Sequence, residues 1–579
     1  MDIRRLALLF VFMFSLMTLW SAWQREQNPP AAAPPPAAAN ASSIPAASTS
    51  SASSAPASAD AQIPQPSSVL QQAAAARLRE EDARLAAPLD APPAESLFVE
   101  TDLARVEIST LGGDLVWLEL QRFRAQDDKS KRFTLFDDKH RYAAQSGLIG
   151  DGMPNHLTSL TPIPGPRALA EGEDTLEVRL AAPEANGVRA TKVFTFHRNS
   201  YLIDVAWEIE NASAAPVQAE AYFQLQRDDA APVGDSFMLA TFYGVAVYTE
   251  AEKYQKVSYK EVAENEARFT GKTENNGWLA MVQHYFVSAW APQGDTLREF
   301  YMRRLGDASS NLFAAGVMLP AAVVAPGETR RVSMPLFAGP QEQAALKQVA
   351  PGLELVVDYG RLHIIAAPIF WVLEFINTLI GNWGWSIVVL TILIKLLFYP
   401  LSATSYKSMA KMRTLTPKLM QLKERHGSDK ARLNQEMMKL YQSEKVNPLG
   451  GCLPILVQIP VFIALYWVLL GAVEMRDAPW IFWIKDLSAA DPYYVLPIIM
   501  MISMFIQTRL NPTPPDPIQA KMMLIMPLVF GVMFFFFPAG LVLYWVVNNI
   551  LSIAQQWQIN WMLEKGGVKK AANDPVIKK

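Results

Sequence analysis

The sequence has almost no cysteine: of 579 residues only Cys452 is one, so no intramolecular disulfide can form. The six histidines are scattered along the chain and show no metal-ligand spacing. Gly271, Lys272 and Thr273 resemble the end of a phosphate-binding loop, but Glu266 stands where such a loop requires a glycine. These absences argue against a disulfide scaffold, a metal site and ATP-driven chemistry, and we expect no cofactor.

Charged residues are also scarce, at 18% of the chain against 51% hydrophobic residues. The apolar residues concentrate in an N-terminal run and in the C-terminal third, whereas the middle has the composition of an ordinary soluble domain. This distribution predicts a polytopic membrane protein with a large soluble insert.

The N-terminal apolar run extends from Leu6 to Trp23 and follows Arg4 and Arg5. It is either a signal peptide or a spanning anchor, and the lack of a small-x-small cleavage site favours an anchor over residues 1–26. The arginines predict a cytoplasmic N-terminus. Residues 27–95 are rich in alanine, proline and serine, which predicts a flexible linker.

Residues 96–349 show short runs of period two between turn residues, which predict a large periplasmic antiparallel β-sandwich. Asp228 and Asp229 are interpreted as solvated turn residues, and no catalytic pair stands out from such carboxylates. A sugar-binding groove is the alternative for this domain. The predicted strands contain the following residues: Val106 and Ile108; Leu115, Trp117 and Leu118; Leu176, Val178 and Leu180; Val193, Phe194 and Phe196; Tyr201, Ile203, Val205 and Trp207.

Residues 350–382 follow, and the amphipathic pattern from Val356 to Ile380 predicts an interfacial helix, with a longer tilted span as the alternative. Residues 383–565 are predicted to form a five-helix core, which together with the anchor makes six transmembrane helices. Residues 566–579 are a basic tail, predicted to be cytoplasmic. The five predicted spans are Trp383–Leu401, Leu453–Val473, Tyr493–Thr508, Met522–Phe537 and Leu541–Trp561.

Lys395 lies within the apolar run from Ile387 to Pro400. A charge near the middle of a spanning helix costs roughly 2.5 to 3.5 kcal/mol on insertion scales, so it normally faces protein or water. One explanation is snorkelling toward the end of the helix. The other is a polar cavity inside a helix bundle.

A helical hairpin is predicted over residues 403–447, kinked or interrupted at Pro417. It has ten basic and four acidic residues, a net charge of +6, which predicts a cytoplasmic location. It is either a solvated helix pair that binds anionic lipid or a docking surface for apolar partners. The candidate docking residues are Met409, Met412, Leu415, Leu419 and Met437.

Four motifs stand out in the C-terminal part of the chain: YPLSATSYKSMAKMR (Tyr399–Arg413), EKVNPLGGCLPILVQIP (Glu444–Pro460), DLSAADPYYVLP (Asp486–Pro497) and GLVLYWVVNN (Gly540–Asn549). In their order and spacing they resemble the YidC family of membrane protein insertases. The resemblance implies five helices around a hydrophilic groove that opens to cytoplasm and lipid.

Within this resemblance, Lys395 takes the place of the basic groove residue, which is arginine in the best-known members. A lysine there favours a role as a simple positive charge over a planar hydrogen-bonding fork. Trp545 stands where a close relative has tyrosine, so a hydroxyl contact is lost. The further implied groove residues are Thr391, Gln458, Tyr544, Trp545, Asn548 and Asn549.

The resemblance implies an insertase and chaperone for new inner-membrane proteins, acting alone or with the Sec translocon, and not an enzyme. The implied partners are nascent membrane proteins, the Sec translocon, and ribosomes and anionic lipid at the basic hairpin and tail. Both termini would lie in the cytoplasm and the β-domain in the periplasm. A secondary transporter and a membrane-anchored glycan enzyme are the competing functions.

Overall fold

The structure is a computed structural model, and it describes residues 95–232, 241–269, 272–306, 309–426, 429–444, 453–510 and 517–565. The predicted anchor, the linker as far as residue 94 and the basic tail lie outside the described residues. The centre of the hairpin turn and the connection 445–452 also lie outside them.

The soluble domain is built from antiparallel strands, as the period-two pattern predicts. Within the described residues they are β1 (Ser96–Glu100), β2 (Ala104–Ser109), β3 (Leu115–Arg124), β4 (Arg132–Phe136), β5 (Ala143–Ile149), β6 (Thr161–Pro162), β7 (Thr175–Ala181), β8 (Val188–His197), β9 (Leu202–Asn211), β10 (Val217–Asp228), β11 (Gly244–Thr249), β12 (Lys253–Val257), β13 (Lys272–Glu274), β14 (Trp278–Val282), β15 (Phe286–Trp290), β16 (Arg298–Leu305), β17 (Leu312–Met318), β18 (Ala322–Val324) and β19 (Thr329–Pro340).

These strands form two sheets with one apolar core between them. The first has the order β1-β2-β3-β5-β10-β17-β16-β13, with β4 on β3 and β18 on β10. The second has the order β12-β11-β14-β15-β19-β9-β8-β7-β6. Side chains at alternate positions point to the same face of a strand, so Val106, Leu118, Phe194, Val205 and Phe223 all reach this core.

The helices are α1 (Tyr259–Ala263) and α2 (Gln343–Val349) in the β-domain, then α3 (His363–Ile380), α4 (Trp383–Leu397), α5 (Tyr399–His426), α6 (Lys430–Ser443), α7 (Leu453–Gly471), α8 (Val495–Leu510), α9 (Pro517–Met533) and α10 (Ala539–Lys565). Short 3₁₀ turns lie at Leu353–Val356, Gly360–Leu362, Val473–Met475 and Phe534–Phe536.

The last helix is central to the bundle, because α10 packs against α4, α5, α7 and α8. Helix α3 packs against α4 and α7, and α9 packs against α8. A second apolar cluster runs from the outer face of the second sheet, at Trp278 and Phe337, to Phe370 of α3 and Tyr544 of α10. The β-domain and the bundle therefore share a continuous core.

Several predicted helix boundaries are wrong. The span expected to reach Leu401 ends at Leu397, and α5 begins at Tyr399 at an angle of 64° to α4. Pro400 favours the new start, since proline fits the first turn of a helix without the loss of a hydrogen bond that it causes further inside. The helix predicted from Val356 begins at His363, because 3₁₀ turns occupy much of the preceding segment. Of the two alternatives at Pro417, a kink or an interruption, the interruption is excluded, because α5 continues through this residue.

Among the described helices, α3 is long and apolar enough to cross a membrane, and α4 joined to the start of α5 would make a second, bent span. Three further apolar stretches are shorter: Val457–Gly471, Val495–Leu510 and Lys521–Phe536. The number of spans therefore stays a prediction. So does the interfacial position of α3.

The interpretation of Asp228 as a solvated turn residue is wrong. It lies at the end of β10, is 9% exposed, and accepts a hydrogen bond from the backbone N–H of Ala230. Its Oδ1 lies 3.2 Å from Nδ1 of His140. Asp229, the next residue, is exposed as expected.

Candidate functional site

Lys395 lies on α4 inside the bundle and is 7% exposed. Its Nζ donates a hydrogen bond of 2.7 Å to Oγ of Ser552 on α10, and the Ser552 hydroxyl donates to the carbonyl oxygen of Asn548 at 2.7 Å. The ammonium group therefore binds a partner on the neighbouring helix, which snorkelling alone does not explain.

Further polar side chains lie along the same face of α10. Gln458 of α7 donates to Oδ1 of Asn548 at 2.8 Å, and Nε2 of Gln555 lies 3.5 Å from the carbonyl oxygen of Lys395. We call these five residues, Lys395, Gln458, Asn548, Ser552 and Gln555, the polar seam. It connects α4, α7 and α10 through groups that would be costly to place in hydrocarbon.

Three further predicted groove residues, Thr391, Tyr544 and Trp545, lie three or four positions from members of the polar seam on the same helices. Thr391 donates to the carbonyl oxygen of Ile387 on its own helix. Tyr544 is buried, and its ring stacks on Phe462 with the centroids 6.2 Å apart. Trp545 packs edge-on against Phe462 at 4.5 Å. The rings of Phe462, Tyr544 and Trp545 therefore form an aromatic cluster between α7 and α10.

Asn549 lies on a different side of α10 from the polar seam. Its Nδ2 donates to Oγ of Ser503 on α8 at 3.2 Å. Nearer the C-terminus of α10, Gln556 donates to the carbonyl oxygen of Leu510 at 3.2 Å. These two bonds fix α8 to α10.

The sequence prediction missed Ser552 and Gln555. A signal for them exists, because Asn548, Ser552 and Gln555 follow one another at intervals of four and three residues, which places them on one face of a helix. In an otherwise apolar segment, such a polar stripe indicates an internal polar surface.

The hairpin helices α5 and α6 pack against each other, and none of the predicted docking residues is fully exposed. Leu415 and Leu419 are buried, so they are not available at the surface to a partner. Met409, Met412 and Met437 are half-buried. The exposed methionines on the hairpin are Met420 and Met438.

The end of the bundle away from the hairpin is covered by residues 476–494, which we call the distal loop. Its Leu487 carbonyl accepts a hydrogen bond of 2.9 Å from the N–H of Gly540 at the start of α10. Asp491 accepts hydrogen bonds from the N–H groups of Tyr493 and Leu496 and so caps α8. A Cβ on Gly384 of α4 would lie 2.2 Å from Trp480, so the loop closes tightly over α4.

The β-domain contacts the distal loop directly. Lys129 pairs with Asp477 at 3.3 Å and with Asp486 at 2.9 Å. Burial acts to raise the pKa of Asp486, but hydrogen bonds donated by Ser488 and the Lys129 ammonium outweigh it, and the pKa is lowered. Arg476 donates to the carbonyl oxygen of Arg124 at 2.5 Å.

Several bundle helices expose apolar side chains on their outer surface, α7 and α9 among them. On α7 the exposed side chains include Val457, Ile459 and Ile463. On α9 they include Leu528, Val529 and Val532. Within the described part of the chain no group of three or more His, Cys, Asp or Glu residues could hold a metal ion.

Two sequence families match the chain. The family described as YidC periplasmic domain matches residues 96–372, and the family described as 60Kd inner membrane protein matches residues 375–566. A Membrane protein insertase YidC of Dechloromonas aromatica is 60% identical over 574 residues, which are 99% of this chain and 100% of the relative. A second, of Aromatoleum aromaticum, is 54% identical over 576 residues, 99% of this chain and 100% of the relative.

Two solved structures are also similar. The structure titled active YidC insertase with the first transmembrane domain resolved is 21% identical, with a TM-score of 0.39, and covers 84% of this chain and 99% of its own. A galactose mutarotase related enzyme from Lactobacillus acidophilus is 7% identical, with a TM-score of 0.29, and covers 42% of this chain and 97% of its own. At these TM-scores neither likeness bears on what the β-domain binds.

Proposed function

The chain belongs to the YidC family of membrane protein insertases, and we propose that its polar seam lines a hydrophilic groove that receives the translocated segment of a nascent protein. As a member of this family, it is an inner-membrane insertase with a periplasmic domain and acts on nascent membrane proteins. It is not an enzyme. The competing functions, a secondary transporter and a glycan enzyme, are therefore set aside.

The observation that carries the groove proposal is the hydrogen bond between Lys395 and Ser552 inside an apolar bundle. A buried ammonium is costly unless it is hydrogen-bonded or meets water or an opposite charge. Ser552 supplies one acceptor, whereas an ammonium has three donors. The groove would supply the other acceptors, first as water and then as polar groups of the substrate.

In this mechanism a short hydrophilic segment enters from the hairpin side and meets the polar seam, which lowers the cost of taking its polar groups into the membrane. The distal loop keeps the groove closed at the other end. The apolar helix of the substrate slides along the exposed side chains of α7 and α9, and partition into lipid then drives its release. The insertase itself cleaves no ATP.

We extend the proposal to the topology and to the domain division. Residues 1–26 are the anchor and 27–95 the flexible linker, followed by the β-sandwich 96–349, the segment 350–382 that contains the interfacial helix α3, the insertase core 383–565 and the tail 566–579. The chain has six spans and both termini in the cytoplasm. Sec, ribosomes and anionic lipid are the proposed partners, the last two at the cationic hairpin and tail.

The function is tested by depletion of the protein followed by protease mapping of newly made membrane proteins. We expect translocated segments to stay inaccessible to protease added from the periplasmic side. Unchanged protease accessibility across a broad set of substrates would contradict the proposal.

The hairpin provides a prediction of its own. Replacing residues 406–444 with a short Gly/Ser linker should leave the bundle assembled, since α10 packs against α4, α7 and α8 without it. Insertion should fall to the level of the depleted strain, because docking of the incoming chain would be lost. The measurements are complementation, protein level and resistance of the bundle to proteolysis.

A matched pair of hairpin variants separates docking from general damage. Met420→Ser with Met438→Ser removes two exposed apolar side chains, whereas Gln421→Ser with Glu424→Ser changes two exposed polar ones. We expect the first pair to reduce insertion and the second to retain it. Full complementation by the linker variant would show that the hairpin is only a solvated loop.

A further inference from the structure

A cavity of about 70 Å³ lies between the β-domain and the distal loop. Phe133 and Phe286 of the β-domain, Tyr142, Arg227 of β10 and Arg476 of the distal loop are among the residues that line it. At about 30 Å³ per water molecule, this space holds two waters or one small polar group. We call it the junction cavity.

Arg227 is 1% exposed and has fewer hydrogen bonds than a buried guanidinium needs. Its Nη2 donates to the carbonyl oxygen of Ala230 at 3.0 Å, and its guanidinium carbon lies 5.2 Å from the ring centroid of Tyr142. Among the described residues, no acceptor binds its Nε or its Nη1. Since a guanidinium presents five N–H donors, its unused donors require acceptors from elsewhere.

Arg476 reaches the junction cavity from the other side and is 8% exposed. Its guanidinium carbon lies 5.2 Å from the ring centroids of Phe133 and Phe286 and 5.5 Å from that of Tyr285. Its Nη2 donates to the Arg124 carbonyl, while Nε has no acceptor in the described part of the chain. The two arginines together present three unsatisfied nitrogen atoms, which carry four N–H groups.

Within the described residues the carboxylates near the cavity are already engaged. Asp228 lies 3.9 Å from Nε of Arg227, which is too far for a hydrogen bond, and it binds His140 and the N–H of Ala230. Asp137 accepts the N–H of His140 at 2.7 Å. Asp477 and Asp486 pair with Lys129. None of these carboxylates accepts a hydrogen bond from the three unsatisfied nitrogen atoms.

We propose that the junction cavity is a binding site for a carboxylate group, held by Arg227 and Arg476. All the unsatisfied atoms on the two arginines are cationic donors, and charge-assisted bonds from arginine to carboxylate are strong and geometrically specific. The carboxylate comes from a free small acid or from an acidic side chain of a polypeptide. Arg227 belongs to the β-domain and Arg476 to the distal loop, so the bound group also fastens the β-domain to the distal loop. The proposal is independent of the groove.

The test uses the full-length protein in nanodiscs. Sodium acetate is titrated against sodium chloride at equal ionic strength, and the melting temperature and the heat of binding are measured. The peptides Gly-Asp-Gly and Gly-Asn-Gly, with blocked ends, distinguish a polypeptide source from a free acid. The variants are Arg227→Met, Arg227→Lys and Arg476→Met, and Arg105→Met on β2 is the control because Arg105 is exposed.

We expect acetate or the aspartyl peptide to raise the melting temperature of the natural protein and of Arg105→Met, because a ligand of the folded state stabilises it. The shift should be lost in Arg227→Met and in Arg476→Met, and reduced in Arg227→Lys. Without ligand, Arg227→Met should melt no earlier than the natural protein, since it removes an unsatisfied buried charge.

A shift with acetate alone identifies a free acid, and a shift with the aspartyl peptide alone identifies a polypeptide. No shift and no heat of binding with either probe would overturn the proposal. An equal shift in Arg227→Met would also overturn it. If Arg227→Met fails to fold, the heats of binding of Arg227→Lys and Arg476→Met test the proposal instead. Heats equal to that of the natural protein would then overturn it.

Discussion

Replacing Lys395 with alanine is expected to reduce insertion of substrates whose translocated segment is acidic, by roughly 5- to 30-fold. An opposite charge about 8 to 16 Å away at an effective dielectric constant of about 20 contributes about 1–2 kcal/mol, which corresponds to this range. The variant should still fold, because Ser552 keeps its hydrogen bond to the Asn548 carbonyl. The measurement is protease protection of matched substrates with acidic and with neutral segments.

Three comparisons test whether the loss of insertion is electrostatic. Neutral segments should be inserted by Lys395→Ala nearly as well as by the natural protein, because the lost interaction is electrostatic. Lys395→Arg should retain insertion of acidic segments, since only a positive charge is required. Ser552→Ala removes the acceptor but keeps the charge, so its effect should be smaller than that of Lys395→Ala. Equal insertion of acidic segments by the alanine variant would exclude an electrostatic role.

Lys395 could be singled out from the sequence because a single charge in an apolar run is conspicuous. Its partner Ser552 could not be singled out in the same way, since serine is common in apolar helices and lies 157 residues further along the chain. Periodicity identifies the face of a helix to which a residue belongs, but not the helix that this face meets. The pairing of α4 with α10 needed the structure.

Boundaries between helices were predicted less well than the helices themselves. Apolar composition continues from α4 through Phe398 to Leu401, so hydropathy gives no sign of the 64° bend. Pro400 was the available signal, because it favours a new helix start over a continued span. Pro417 shows the limit of this rule, since α5 continues through it.

In the β-domain, too, the sequence predicted the secondary structure but not the contacts between distant residues. Alternating hydrophobic residues predicted the strands and the sandwich, and these are confirmed by the two antiparallel sheets. They did not predict its buried polar residues, because those depend on register between distant strands. Asp114, Gln145 and Lys192 come from three separate segments, and Gln145 donates to Asp114 at 2.7 Å. A continuous polar network lies between the sheets as a result.

That network contains an ion pair buried almost completely. Nζ of Lys192, which is 1% exposed, lies 3.8 Å from Oδ1 of Asp114 and donates to the Gly112 carbonyl at 2.9 Å. Replacing Lys192 with methionine leaves a buried carboxylate without its counter-charge, which should lower the free energy of unfolding by about 3–5 kcal/mol. Hydrogen exchange of the β8 and β10 amides in the full-length protein measures this loss.

The double variant Lys192→Met with Asp114→Asn is the matched control. It removes both charges and keeps an oxygen that can accept the hydrogen bond from Gln145, so it should recover most of the lost stability. If the double variant is as unstable as Lys192→Met alone, the packing of the lysine stem and not the ion pair is what stabilises the domain.

The pH dependence of Lys192→Met further distinguishes the loss of the ion pair from the loss of packing by the lysine stem. Burial raises the pKa of Asp114 above its ordinary value, although Lys192 and the hydrogen bond from Gln145 oppose this. An unfolded aspartate loses its proton near pH 3.9, so above that pH a folded state with a raised pKa still holds a proton that the unfolded chain has released, and stability falls as the pH rises through the folded pKa. Without Lys192 the folded pKa rises further, so the stability of Lys192→Met should fall above about pH 4 over a wider pH range than that of the natural protein. The double variant should lack this slope, and a Lys192→Met protein whose stability does not change between pH 5 and pH 8 would show that Asp114 is not an unpaired buried carboxylate.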